Sequence, residues 1–102
     1  MPGIEIKIHA GSEGLKELDD NADVEVLLPD GRRFGATFFT RANLDSILAR
    51  YRETGECESG LYFWARDMIL VDRLTRVTVE QTVLSLIRHG ELEDAFSLLD
   101  EG

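Results

Sequence analysis

The chain reads as a single α+β domain: an antiparallel sheet of about five strands, with two or three helices packed mainly on one face. Three observations predict it. Residues 4–9 and 24–39 alternate between side chains for a dry face and a wet one, the period of half-buried strands. Leu44, Ile47, Leu48 and Tyr51, and again Val79, Val83, Leu86 and Ile87, fall on single helical stripes. A length of 102 residues at 43% hydrophobic content suits one domain that buries a core without disulfide or metal. No repeat, low-complexity tract or second domain interrupts it.

The elements follow in order. Ile4, Ile6 and Ile8 oppose Glu5, Lys7 and His9, giving a first strand with one apolar face. Gly11-Ser12-Glu13-Gly14 breaks it, and Ser12 is placed to cap a short helix carrying Leu15 and Leu18. An acidic connector leads to Val24, Val26 and Leu28, which alternate with Glu25 and Leu27. Pro29-Asp30-Gly31 is a turn signal. Beyond it Phe34, Ala36 and Phe38 alternate with Gly35, Thr37 and Phe39, so residues 24–39 form a β-hairpin. Thr40 caps a helix over residues 41–53, which Thr54-Gly55 ends.

Residues 56–59 form a loop. The next stretch, residues 60–72, reads GLYFWARDMILVD and holds the only Trp and one of the two Tyr. It predicts two strands, residues 61–65 and 68–71, joined at Arg66-Asp67. So short a join excludes a parallel crossover and predicts an antiparallel hairpin. Thr78-Val79-Glu80-Gln81 fits a capping box opening a helix that Gly90 closes. A last helix over residues 91–99 presents Leu92, Ala95, Phe96 and Leu99.

Charge excludes some functions. Twenty acids against eleven bases give a net charge of −9, which repels nucleic acid phosphate and acidic lipid headgroups. The same surface either only keeps the protein in solution or suits a basic partner. No apolar run approaches the roughly 18–20 residues of a membrane span. The first eleven residues lack the basic region and apolar block of a signal peptide. Cys57 stands alone, so no internal disulfide is expected and a cytoplasmic location is the default.

Site chemistry is sparse. Asp19-Asp20-Asn21-Ala22-Asp23 has acids and amides like the start of a calcium loop, but Val24 and Asp30 stand where that loop needs Gly and Glu. One Cys with His9 and His89 makes no zinc set. Cys57 lies between Glu56 and Glu58, whose charges disfavour the reactive thiolate. No nucleophile elbow, phosphate loop or dinucleotide fingerprint is present. No catalytic residue, metal or cofactor is therefore assigned. Asp67, beside Arg66 and near Trp64, is the acid to inspect first; its alternative role is a turn residue bonded to local backbone. Arg32, Arg33, Arg41, Arg50 and Arg52 oppose only Asp45 between residues 32 and 52. They are placed to hold a phosphate or carboxylate ligand, or to pair with acids of this chain or of a second copy. Residues 91–101 hold five acids and no base.

In the strand reading, residues 61–65 and 68–71 are apolar on both faces, and both faces need cover. Either the sheet is covered internally there, or Tyr62 and Trp64, residue types that anchor interfaces, meet a protein partner or a second copy. The contact candidates are Tyr62, Trp64, Arg66 and Asp67.

The run Thr54-Gly55-Glu56-Cys57, then Gly60, Tyr62-Phe63-Trp64-Ala65 and Asp67-Met68, resembles a segment of small bacterial proteins of unknown function. The hairpin end Ala36-Thr37-Phe38-Phe39-Thr40 belongs to the same pattern, so the resemblance spans about residues 32–72. It implies a bacterial source and a stand-alone domain, and carries no activity or site residues. The functional expectation is a non-catalytic interaction protein, immunity- or antitoxin-like in one form. The alternative is a small-ligand binding module using the aromatic strands and the Arg group.

Overall fold

The computed structural model of the chain describes residues 3–10 and 14–101. The period-two stretches form β1 (Glu5–His9), β2 (Asn21–Leu27) and β3 (Arg33–Thr40). β1 and β2 are antiparallel with Ile6 opposite Val26 and Ile8 opposite Val24. β2 and β3 form the expected hairpin, with Val24 opposite Ala36 and Val26 opposite Phe34. This register puts Ile6, Ile8, Val24, Val26, Phe34, Ala36 and Phe38 on one face, as a period of two requires.

That face is covered by α3 (Arg76–Arg88) and α4 (Leu92–Ala95). Val24, Val26, Phe34 and Phe38 are buried with Leu74, Val79, Val83, Leu92 and Phe96. Phe38 and Phe96 meet edge-to-face with ring centroids 6.1 Å apart, a preferred geometry for aromatic pairs. Phe39 points to the opposite face of β3. There α1 (Arg41–Thr54) supplies a second, smaller cluster: Ile47 is buried, and Phe63 packs against Phe39 at 5.3 Å and Tyr51 at 6.5 Å.

Thr40 starts α1 as expected. Its hydroxyl accepts the Asn43 N–H at 3.2 Å and also the Asp20 N–H at 3.2 Å. Gly55 ends the helix at φ +86°, its N–H donating to the Tyr51 carbonyl at 2.8 Å. The next turn, α2 (Glu56–Gly60), is left-handed. Cys57, Glu58 and Ser59 all have φ between +49° and +58°. Each such non-glycine residue costs about 1–2 kcal/mol. Local hydrogen bonds offset part of it: Ser59 N–H to the Gly55 carbonyl, and Leu61 N–H to the carbonyls of Cys57 and Glu58.

Four expectations are corrected. Residues 61–65 are not a strand, and no hairpin joins them to residues 68–71. β4 (Met68–Val71) instead lies parallel to β3, with Thr37 opposite Met68 and Thr40 opposite Val71. Residues 41–67 are the crossover, and a helix-bearing connection is how parallel neighbours are joined. The helix predicted over residues 91–99 stops at Ala95, and Ser97–Asp100 forms β5, antiparallel to β3. Since β2 occupies one edge of β3, β4 and β5 lie end to end along the other, at residues 37–40 and 33–35. Open backbone on β3 thus takes the place of a last helical turn. α3 begins not at Thr78 but after Thr75, whose side chain accepts the Thr78 N–H at 3.2 Å. Finally, residues 14–20 contain no helix for Leu15 and Leu18. Asp20 accepts the N–H groups of Lys16 at 3.0 Å and Asn21 at 2.8 Å, a side-chain-to-backbone pattern that competes with helix. Ser12, the expected cap, lies outside the described residues.

Candidate functional site

The left-handed turn fixes how the aromatic stretch leaves α1. Gly60 sits so close to that helix that a Cβ there would lie 2.6 Å from the Leu48 carbonyl oxygen. The chain then emerges with Phe63 directed inward onto Phe39 and Tyr51. Its neighbours project the other way: Tyr62 is 48% exposed and Trp64 68%. Leu61, at 79%, and the β4 residues Met68 and Leu70 are exposed as well. Ile69 and Val71 face the core. Both-sided cover of this stretch, expected from the strand reading, is therefore absent on one side. Leu61, Met68 and Leu70 join Tyr62 and Trp64 as surface residues.

Arg66 and Asp67 form the turn into β4. Asp67 has φ +53°, and its carbonyl accepts the Thr37 N–H at 3.0 Å. Its carboxylate accepts a hydrogen bond from the Ser97 hydroxyl. Asp67 thus ties the starts of β4 and β5 together along β3. A carboxylate bonded to the backbone of its own turn, the other role weighed for it, is not what forms: the side chain meets a distant hydroxyl, and only the Asp67 main chain bonds backbone, on β3.

A shallow cavity of about 260 Å³ opens beside this turn, bordered by Asp23, Glu25, Thr37, Arg66, Asp67 and Leu99 among others. Thr37 donates to the Asp23 carboxylate at 2.7 Å. No aromatic side chain lines the cavity, so the two parts of the ligand-binding expectation do not meet there.

The Arg group does not converge either. Arg32 pairs with Asp30 at 2.8 Å and Glu93 at 2.6 Å, and stacks over Phe34. Arg33 approaches Glu25, and Arg41 approaches Asp72. The Arg32 pairing holds the Asp30 carboxyl below the usual carboxylate range, chiefly through the Arg32 backbone N–H and then its side chain. The same carboxylates, Glu93 first, raise Arg32.

His9 approaches Glu25, and His89 bonds to the Ser85 carbonyl at 2.8 Å; neither bonds to Asp67 or Cys57. The acidic stretch around Asp19 is engaged with α1: Asn43 donates to Asp19 at 3.3 Å and Ser46 at 3.5 Å. Among the described residues no group of three or more His, Cys, Asp or Glu is placed to hold a metal ion. Nor is any helix there long and apolar enough to cross a membrane.

No family model, no curated protein and no solved structure matches the chain.

Proposed function

We propose that this chain is a non-catalytic protein-interaction domain, with its contact surface on the exposed run Leu61, Tyr62, Trp64, Met68 and Leu70. One observation carries the reading: five large apolar side chains within ten residues stand in solvent, while their neighbours Phe63 and Ile69 are packed inward. Monomeric proteins rarely expose a contiguous apolar patch that has no contact to make, and Tyr and Trp are favoured anchors in interfaces. The engagement of Asp67, His9 and His89 in structural bonds supports a non-catalytic role. A bacterial, cytoplasmic setting goes with this reading. One form of the reading is neutralisation of a basic partner in the manner of immunity proteins and antitoxins, drawn in at long range by the net charge of −9 rather than by acids on the apolar surface itself; a second copy of the chain is the other form.

The test is partner capture from cells of the native source. The wild-type chain is compared with a Tyr62→Ser/Trp64→Ser variant, both side chains being exposed enough to spare the fold. The expected result is a protein retained by the wild type and lost by the variant. Identical captured sets from both would sink the reading.

Small-ligand binding is the second reading, favoured by the cavity beside Arg66 and Asp67. Its lining sets Asp23, Glu25 and Asp67 against Arg66, which selects a small cation over a phosphate.

A further inference from the structure

We infer that the partner at this surface is a second copy of the chain, pairing β4 with β4 antiparallel about a two-fold axis at Ile69. The inference rests on the interaction-domain reading and names its partner. It starts from the edges of the sheet. An unpaired strand edge invites another strand, and native proteins blunt such edges with charge, bulges or cover. Two of the three edges here are blunted. On β1 the Arg76 guanidinium donates to the Ile6 carbonyl at 3.0 Å, and is itself held by Glu80 at 3.0 Å. β5 carries a register shift opposite Arg33/Phe34 and ends in Asp100. β4 reads Met-Ile-Leu-Val, with no charge, bulge or proline. β4 ends the strand order β1-β2-β3-β4, and among the described residues nothing pairs with its outer side.

The backbone directions select the register. The Thr37 N–H donates to the Asp67 carbonyl, with Met68 opposite Thr37. In a parallel ladder the N–H and C=O of Ile69 then also face β3, and those of Met68 and Leu70 face outward. An antiparallel copy centred on Ile69 sets Met68 of one chain against Leu70 of the other, twice by symmetry. Those are the two residues whose backbone groups are free, and each such pair exchanges both of its hydrogen bonds. Met68 and Leu70 project to the same face, so each covers the other's exposed side chain across the seam.

Charge agrees. Residues 41–73, which carry α1, the aromatic stretch and β4, hold five Arg and six acids, a net of −1; the rest of the chain therefore carries −8 of the −9. Joining the near-neutral parts keeps the repelling parts apart. At each end of the seam, Arg66-Asp67 of one copy comes near Asp72-Arg73 of the other, so both signs are present in equal number.

Sedimentation of the wild-type chain over a concentration series is expected to show a monomer–dimer equilibrium. Leu70→Lys, which places at the centre of β4 the charge that blunts native edges, is expected to weaken it at least about tenfold. Register is read in a Cys57→Ser background. A mixture of Met68→Cys and Leu70→Cys chains forms an intersubunit disulfide under mild oxidation, and neither variant alone does so. A wild-type chain monomeric up to about 0.5 mM, too weak for a specific dimer, overturns the inference. So does cross-linking of either variant alone as readily as the mixture. The two readings fail separately. A monomer that still captures a Tyr62/Trp64-dependent partner refutes only the second copy, and a monomer for which both chains capture identical sets refutes the surface itself.

Discussion

Replacing Gly60 with Ala tests whether the left-handed turn is docked on α1 as described. Gly60 and Gly55 form a matched pair: φ is +82° at one and +86° at the other. At Gly55 an added Cβ meets nothing within 4 Å, so Gly55→Ala measures the backbone cost alone. That cost is about 1–2 kcal/mol for an L-residue in left-handed geometry, partly offset by about 0.4–1 kcal/mol from the stiffer unfolded chain. At Gly60 the Cβ would lie 2.6 Å from the Leu48 carbonyl oxygen, 3.0 Å from Arg52 Cγ and 3.4 Å from the Arg52 backbone nitrogen. The Arg52 side chain can swing aside, but the two backbone atoms belong to α1 and cannot. The turn must lift from the helix, an overpacking cost of about 1–3 kcal/mol. Gly60→Ala is therefore expected to lose about 2–4 kcal/mol in all, against about 1 kcal/mol or less for Gly55→Ala. For a domain of this size that is a fall in Tm of roughly 10–25 °C. Urea and thermal melts followed by far-UV circular dichroism give both numbers. A Gly60→Ala variant no less stable than Gly55→Ala refutes the docking of the turn.

Two further outcomes follow from single side chains. Thr40 is fully buried, and its hydroxyl serves both the Asn43 and the Asp20 N–H groups. Thr40→Ala should lose about 2 kcal/mol, the upper end for a helix cap, and Thr40→Ser should restore most of it in urea melts; equal losses for both would deny the hydroxyl its role. Asp30 has a folded-state pKa below its ordinary 3.8. Its contribution is therefore present above that value and is lost as pH falls through the lower folded value. Asp30→Asn should cost stability at neutral pH and converge with wild type in the acid limb, read from urea midpoints between about pH 2 and 6; a constant gap across that range would contradict the Asp30–Arg32 pairing.

The parts legible in the sequence are those whose structure is local. β1, the β2–β3 hairpin and α1 follow from alternation, a turn and a cap within a few residues of each other. The strand at Met68–Val71 was legible too, but the stretch from Leu61 to Ala65 was not, for a physical reason. Phe63 packs inward while Tyr62 and Trp64 face out, so its alternation is that of a strand even though no backbone pairs with it. What decides its conformation is the left-handed turn before it and the helix against which Gly60 rests, neither marked by any local pattern at Cys57, Glu58 and Ser59. The parallel β3–β4 pairing had one available sign: a predicted helix already lay between the two strands. β5 depends on the vacant half-edge of β3, a partner some sixty residues away, and Leu92 and Phe96 are buried whether or not the helix continues. Of the candidate site, Tyr62 and Trp64 were visible as residue types. The exposure of Leu61, Met68 and Leu70 was hidden by the assumption that apolar strand residues are covered.

The shared edge of β3 also has a consequence for how the chain is made. Arg33–Gly35 is exposed along one side until Ser97–Asp100 arrives, and Phe38 lacks its partner Phe96 until the same moment. During synthesis the hairpin and α1 emerge early, yet the sheet beside them cannot close until about sixty more residues have followed. Contacts of such separation are slow to form and leave strand edges open to other chains meanwhile. The period of greatest vulnerability is therefore set by the distance in sequence between β3 and β5. Substitutions in the last strand, mild in the finished molecule, would act by lengthening it.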